Sequence, residues 1–101
     1  MRAKGNKGRI PDDLKFGTLS TRKAVLGEIH LERNRHAQLE FTLRHSDLGF
    51  LRIMTEELGE IASAMDTRGK NRLEDIYEET IQLAAAAVAL AERIRLQQDY
   101  I

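Results

Sequence analysis

The sequence contains no cysteine and no tryptophan, only one proline, and just three phenylalanines and two tyrosines. Without cysteine, neither a disulfide framework nor a thiolate metal site can form, and a reducing, cytoplasmic setting is the expectation that fits. Long apolar runs are also missing. The longest, Leu83 to Ala91, is nine residues, far short of the ~20 that span a bilayer. The basic opening stretch from Met1 to Arg9 has no apolar segment behind its charges, so a secretory signal is not expected. Neither sign of charge prevails, with sixteen Lys/Arg against sixteen Asp/Glu. A dedicated DNA-binding domain carries a net basic footprint, so no nucleic-acid partner is expected, and no membrane partner either.

What is present is unevenly placed. Residues 1–50 hold ten Lys/Arg and six Asp/Glu, residues 51–101 six and ten, making the halves +4 and −4. The acidic half is either an ordinary solvated helix surface or a cluster that attracts cations. At 101 residues there is room for one domain, with a core that is marginal if the chain stands alone.

Residues 1–17 combine Gly5, Gly8, Gly17 and Pro11 with excess positive charge. Such composition forms core poorly, which predicts a flexible basic arm followed by a helical domain over 18–101. The first helix is expected from about Ser20 to Phe41, with Thr18 or Ser20 as N-cap. Its apolar positions are sparse, and Gly27 weakens it by roughly 1 kcal/mol relative to alanine. For the second helix, Ser46 is a suitable N-cap and Asp47 suits the positive end of the dipole. Leu51, Met54, Leu58, Ile61 and Met65 then recur at steps of three and four, one apolar stripe, and Gly69 is the expected left-handed stop. The third helix should begin at Asn71, with Glu74 three residues on as in a capping box, and run to about Gln97. Its apolar residues, Ile76 to Ile94 with Ala84 to Ala87 between, point in several directions. A helix apolar nearly all round is buried on several sides. The expectation is an all-α bundle of three main helices per chain, completed by a dimer or tetramer with interfaces around Ala84 to Ile94.

Two acidic groups stand out. Glu56-Glu57-Leu58-Gly59-Glu60 lies on the second helix and Glu78-Glu79-Thr80-Ile81-Gln82 on the third. Residues three apart share a helix face, with Cβ atoms roughly 5–6 Å apart, so Glu57 with Glu60, and Glu79 with Gln82, each aim two oxygen-bearing side chains one way. Antiparallel packing through the short 67–71 turn would bring the pairs face to face. Clustered carboxylates repel unless a cation lies between them, and hard divalent cations prefer oxygen ligands. Mg²⁺ or Mn²⁺ is the implied cofactor. The plainer alternative is that these glutamates simply coat solvated helix faces.

The two groups resemble the motif of the MazG-like, all-alpha nucleoside triphosphate pyrophosphohydrolases, E-E-x-x-E on one helix and E-x-x-D on the next. Glu56 to Glu60 fits the first half, including the wording E-E-L-G-E. Glu79 to Gln82 fits the second half as E-x-x-Q, and the alanine-rich continuation to Glu92 is similar to that family's last core helix. The resemblance covers roughly residues 29–95. It implies a MazG-like helical bundle that hydrolyses (d)NTPs or related nucleotides to a monophosphate and pyrophosphate. Glu57, Glu60, Glu79 and Gln82 would hold the metal, and Glu56 would orient a ligand or activate water. Gln82 departs from the pattern: its neutral carbonyl oxygen replaces a carboxylate and removes one unit of negative charge.

Substrate phosphates need positive charge. Arg52, Lys70 and Arg72 are the candidates beside the motif, with Arg68, Arg33 and Arg35 as further basic residues. His36 reads as a surface histidine, with a part in catalysis as the alternative, and Tyr77 and Phe50 as core or interface packing residues, with stacking on a base as the alternative. No phosphate-cradling glycine loop or nucleophile triad is present. Beside the hydrolase stand a non-catalytic MazG-like nucleotide-binding module and a helical oligomerisation module.

Overall fold

The computed structural model describes residues 18–38 and 46–99, and every regular element among them is a helix. They are α1 (Leu19–Gln38), α2 (Asp47–Asp66) and α3 (Arg72–Asp99). The expected arm at 1–17 and the last positions expected of the first helix, 39–41, lie outside the described residues.

Local chemistry sets the ends. Thr18 caps α1, its Oγ1 accepting from the Thr21 N–H at 3.0 Å, and Ser46 caps α2, its Oγ accepting from the Gly49 N–H at 3.1 Å. Side-chain oxygens there satisfy donors that have no partner inside the helix. The end of α2 differs from expectation. It stops at Asp66, and the extended C-cap Thr67 (φ −84°, ψ 143°) donates its N–H back to Ser63 and Ala64. The Thr67 hydroxyl also donates to the Ser63 carbonyl, at 2.9 Å. Gly69 has no positive φ; the turn was already made by Thr67, so a left-handed residue is not needed. At the start of α3, the Asn71 carbonyl accepts from the Asp75 N–H at 2.9 Å.

Helix α3 is the centre: α1 and α2 each pack against it and make no backbone approach to one another. Asp47 at the head of α2 bonds to Arg93 near the tail of α3, so these two helices run antiparallel. The pairs Glu28–Tyr77 and Arg33–Glu92 ascend together along α1 and α3, so those two run broadly parallel. Among the described residues the core is small: Phe50, Ile61, Ile81, Ala85, Ala86 and Ala89. The alanines let three helices approach closely with few large side chains, and between them α1 and α2 cover Ala85, Ala86 and Ala89 within one chain.

Two expectations about faces need correction. The buried side of α2 carries Phe50 and Ile61, with Ile53, Met54, Glu57 and Ala64 half-buried, while Leu51, Leu58 and Met65 of the expected stripe are exposed. The helix has two apolar stripes, and Phe50 decides between them because its ring is the largest side chain to hide. On α1 the inward face is polar in its second half. It runs Val25, Ile29, Glu32, Arg33 and His36, the last two buried. His36 is therefore not a surface residue. Its Nε2 lies 3.0 Å from Glu32 Oε2. No helix among the described residues is long and apolar enough to cross a membrane.

Candidate metal centre

The antiparallel α2–α3 pair brings the two acidic groups together. Glu57, Glu60 and Glu79 each offer one carboxylate oxygen, and the three oxygens lie within 4.8 Å of one another. Glu57 and Glu60 are one helical turn apart on α2, and Glu79 faces them from α3. Glu57 and Glu79 are half-buried and Glu60 is exposed, so the cluster opens to solvent on one side.

Its electrostatics are those of concentrated negative charge. Burial pushes the Glu57 carboxyl above the usual carboxylate range; the charges of Glu60, Glu56 and Glu32 push the same way, and a hydrogen bond with Glu79 works against them. Glu60 is also held high, chiefly by its hydrogen bond with Glu79 and then by that residue's charge. Carboxylates so close hold protons, or a cation, more readily than isolated ones. Moreover, Glu57 Oε2 is buried without a hydrogen-bond partner among the described residues. A buried acceptor of this kind is costly unless something binds it. Carboxylate oxygens from two helices, one of them unsatisfied, fit a hard divalent cation.

Gln82 lies one turn beyond Glu79, in a groove of about 330 Å³ that it lines with Glu28, Glu32, Glu74, Tyr77 and Glu78. Its amide interacts with Glu32, which is held below the ordinary carboxylate range chiefly by its hydrogen bond with Arg35. Arg35 Nε donates to both Glu32 oxygens at 3.2 and 3.1 Å. Glu32 is a residue that motif spacing missed. It sits on α1, outside both acidic groups, and reaches the site only because α1 packs on α3. Its one signal in the sequence is its place a turn beyond Ile29.

Glu56 is exposed beside the cluster and contributes charge to it. Arg52 and Lys70 are exposed. Arg72 is engaged: its Nε and Nη2 donate to the Met65 carbonyl at 3.2 and 3.0 Å, closing the end of α2. Arg72 lies seven residues before Glu79 on α3, about 10 Å along the axis. Arg33 binds Glu92 through two nitrogens, at 2.8 and 3.1 Å, and Arg35 serves Glu32, so neither is a free phosphate ligand. Tyr77 is no core residue: it is exposed, and its hydroxyl donates to Glu28 at 2.8 Å. A second groove, between Leu26, Ile29 and His30 on α1 and Val88 on α3, contains none of the three clustered carboxylates.

No protein-family model, curated protein or solved structure matches the chain.

Proposed function

We propose that the protein is a MazG-like, metal-dependent nucleotide pyrophosphohydrolase that works as an oligomer. The observation that carries this reading is the convergence of Glu57, Glu60 and Glu79 to within 4.8 Å, the residues at which the sequence resembles that family's motif. In this reading Glu57, Glu60 and Glu79 hold Mg²⁺ or Mn²⁺, with the Gln82 carbonyl as a fourth, neutral oxygen. When bound, the metal polarises a phosphoryl oxygen and lowers the pKa of a coordinated water.

The chain's own residues supply the rest. Glu57, half-buried, fixes one side of the site, while exposed Glu60 faces the entering nucleotide. Glu56, next to the cluster, accepts the proton of the attacking water. The water oxygen bonds to the α-phosphorus, the α–β anhydride bond breaks, and pyrophosphate leaves with the bonding electrons. Arg52 and Lys70, exposed at either end of α2 and its turn, offset the phosphate charge.

A second reading, nucleotide binding without turnover, is favoured by one observation, the neutral Gln82 in place of an acid. A panel of (d)NTPs incubated with Mg²⁺ or Mn²⁺ and assayed for pyrophosphate decides. Release that disappears in Glu60→Gln supports the hydrolase. Nucleotide binding without release supports the second reading, and neither binding nor release removes both.

A further inference from the structure

The stripe that the core of α2 leaves outside is continuous. Leu48, Leu51, Thr55, Leu58, Ala62 and Met65 follow at steps of three, four, three, four and three, and all six are exposed. The large members are more than half exposed, at 63% for Leu48, 53% for Leu51, 58% for Leu58 and 52% for Met65. Thr55 belongs to the stripe as an apolar residue, because its hydroxyl is spent on the Leu51 carbonyl at 2.9 Å and its methyl is what remains to contact a neighbour. Alternating steps of three and four sustained over five turns make the seam of a helix pair. From Leu48 to Met65 the seam is about 26 Å long.

We infer that a second copy of this chain covers the seam, with the two α2 helices antiparallel. The sequence of the stripe is self-complementary in that direction. One register sets Leu51 against the partner's Ala62 and Leu58 against the partner's Thr55, each large side chain against a small one. Leu48 then meets the partner's Met65 at both ends. A parallel pair would instead stack Leu58 on itself and leave Thr55 and Ala62 as thin layers. Charge agrees with the antiparallel choice. This register sets Asp47, which also pairs with Arg93 of its own chain, level with the partner's Asp66, and Arg68 and Lys70 follow that residue, so the tail, net +1 over 66–70, faces the acidic head. This interface lies on the side of α2 away from α3, not around Ala84 to Ile94. It gives the oligomer proposed above a location and does not depend on the metal reading.

The test is mass in solution across the micromolar range, by sedimentation or light scattering. A dimer is expected for the natural chain and for Leu73→Asp, an exposed position off the stripe, and a monomer for Leu58→Asp. Because the chain has no cysteine, single cysteines report the register. Leu48→Cys and Met65→Cys chains, mixed and oxidised, should form the mixed disulfide in preference to either self-disulfide. A natural chain that stays monomeric, with the stripe bare or covered by a segment of its own chain, overturns the inference. So does a dimer that survives Leu58→Asp, or self-disulfides of Leu48→Cys as the main product.

Discussion

Adding Mg²⁺ to the metal-free protein should raise its melting temperature, and Glu60→Gln should abolish that rise. The reasoning starts from the three oxygens held within 4.8 Å and the buried, unpartnered Glu57 Oε2. The folded chain presents these groups together, whereas the unfolded chain scatters them, so a cation binds the native state preferentially. Such binding stabilises by about 1.4 kcal/mol at ten times the dissociation constant, and by a similar increment for each further tenfold. For a domain of this size, that first step is roughly 6–11 °C in melting temperature. The sign with pH follows from the carboxyls themselves. Glu57 and Glu60 have folded values raised above their unfolded ones, so without metal their contribution is present at acid pH and lost as pH rises through the raised values. Metal binding needs the deprotonated forms, so the Mg²⁺ effect should fade as pH falls back through that window. Thermal unfolding followed by circular dichroism, with NaCl controls at matched ionic strength, measures all of this. Glu60→Gln should leave the metal-free protein at least as stable at neutral pH, since one repelling charge is gone. A melting temperature indifferent to Mg²⁺ and Mn²⁺ even with nucleotide present, or a full rise retained in Glu60→Gln, would refute the site.

Other substitutions probe neighbouring features. Gln82→Glu should tighten Mg²⁺ binding in a titration calorimeter while lowering the metal-free melting temperature, because the new charge meets Glu32 as well as Glu79. Phe50→Ala removes the largest fully buried side chain among the described residues and should cost about 3–5 kcal/mol, read by chemical denaturation and comparable to the whole stability of a marginal domain. Gly27→Ala should add about 1 kcal/mol, since a Cβ there meets nothing within 4 Å; a loss of stability would mean that this face of α1 is covered.

The helices and the acidic triad were legible in the sequence because both depend on local spacing. Ser46 and Thr18 cap through neighbours three residues away, and Glu57, Glu60 and Glu79 meet once two adjacent helices pack antiparallel. What was not legible depends on choices between equals. Helix α2 offers one stripe through Phe50 and Ile61 and another through Leu51, Leu58 and Met65, and periodicity alone does not rank them. Gly69 looked like the stop because glycine commonly ends helices, yet Thr67 ended α2 first. Glu32 was missed because the inner face of α1 turns polar where hydrophobic patterning expects hydrocarbon, and that face delivers a carboxylate to the site.

That polar face also decides how α1 responds to its surroundings. Helix α2 is fixed to α3 by the Asp47–Arg93 pair and chiefly by an aromatic ring and aliphatic side chains, whose grip strengthens with warming from the cold. Helix α1 is instead attached in part by Arg33 to Glu92 and by Tyr77 to Glu28, while Glu32 and His36 pair within α1 itself. Exposed polar attachments of this kind weaken as ionic strength rises, and the pair made by buried Arg33 is screened less. Backbone amides of α1 should therefore exchange with solvent earlier than those of α2 and α3, as a separate unit of low local stability. Since Glu32 rides on α1, ionic strength acts on the charge of the site through the attachment of a helix that contributes none of the three clustered carboxylates.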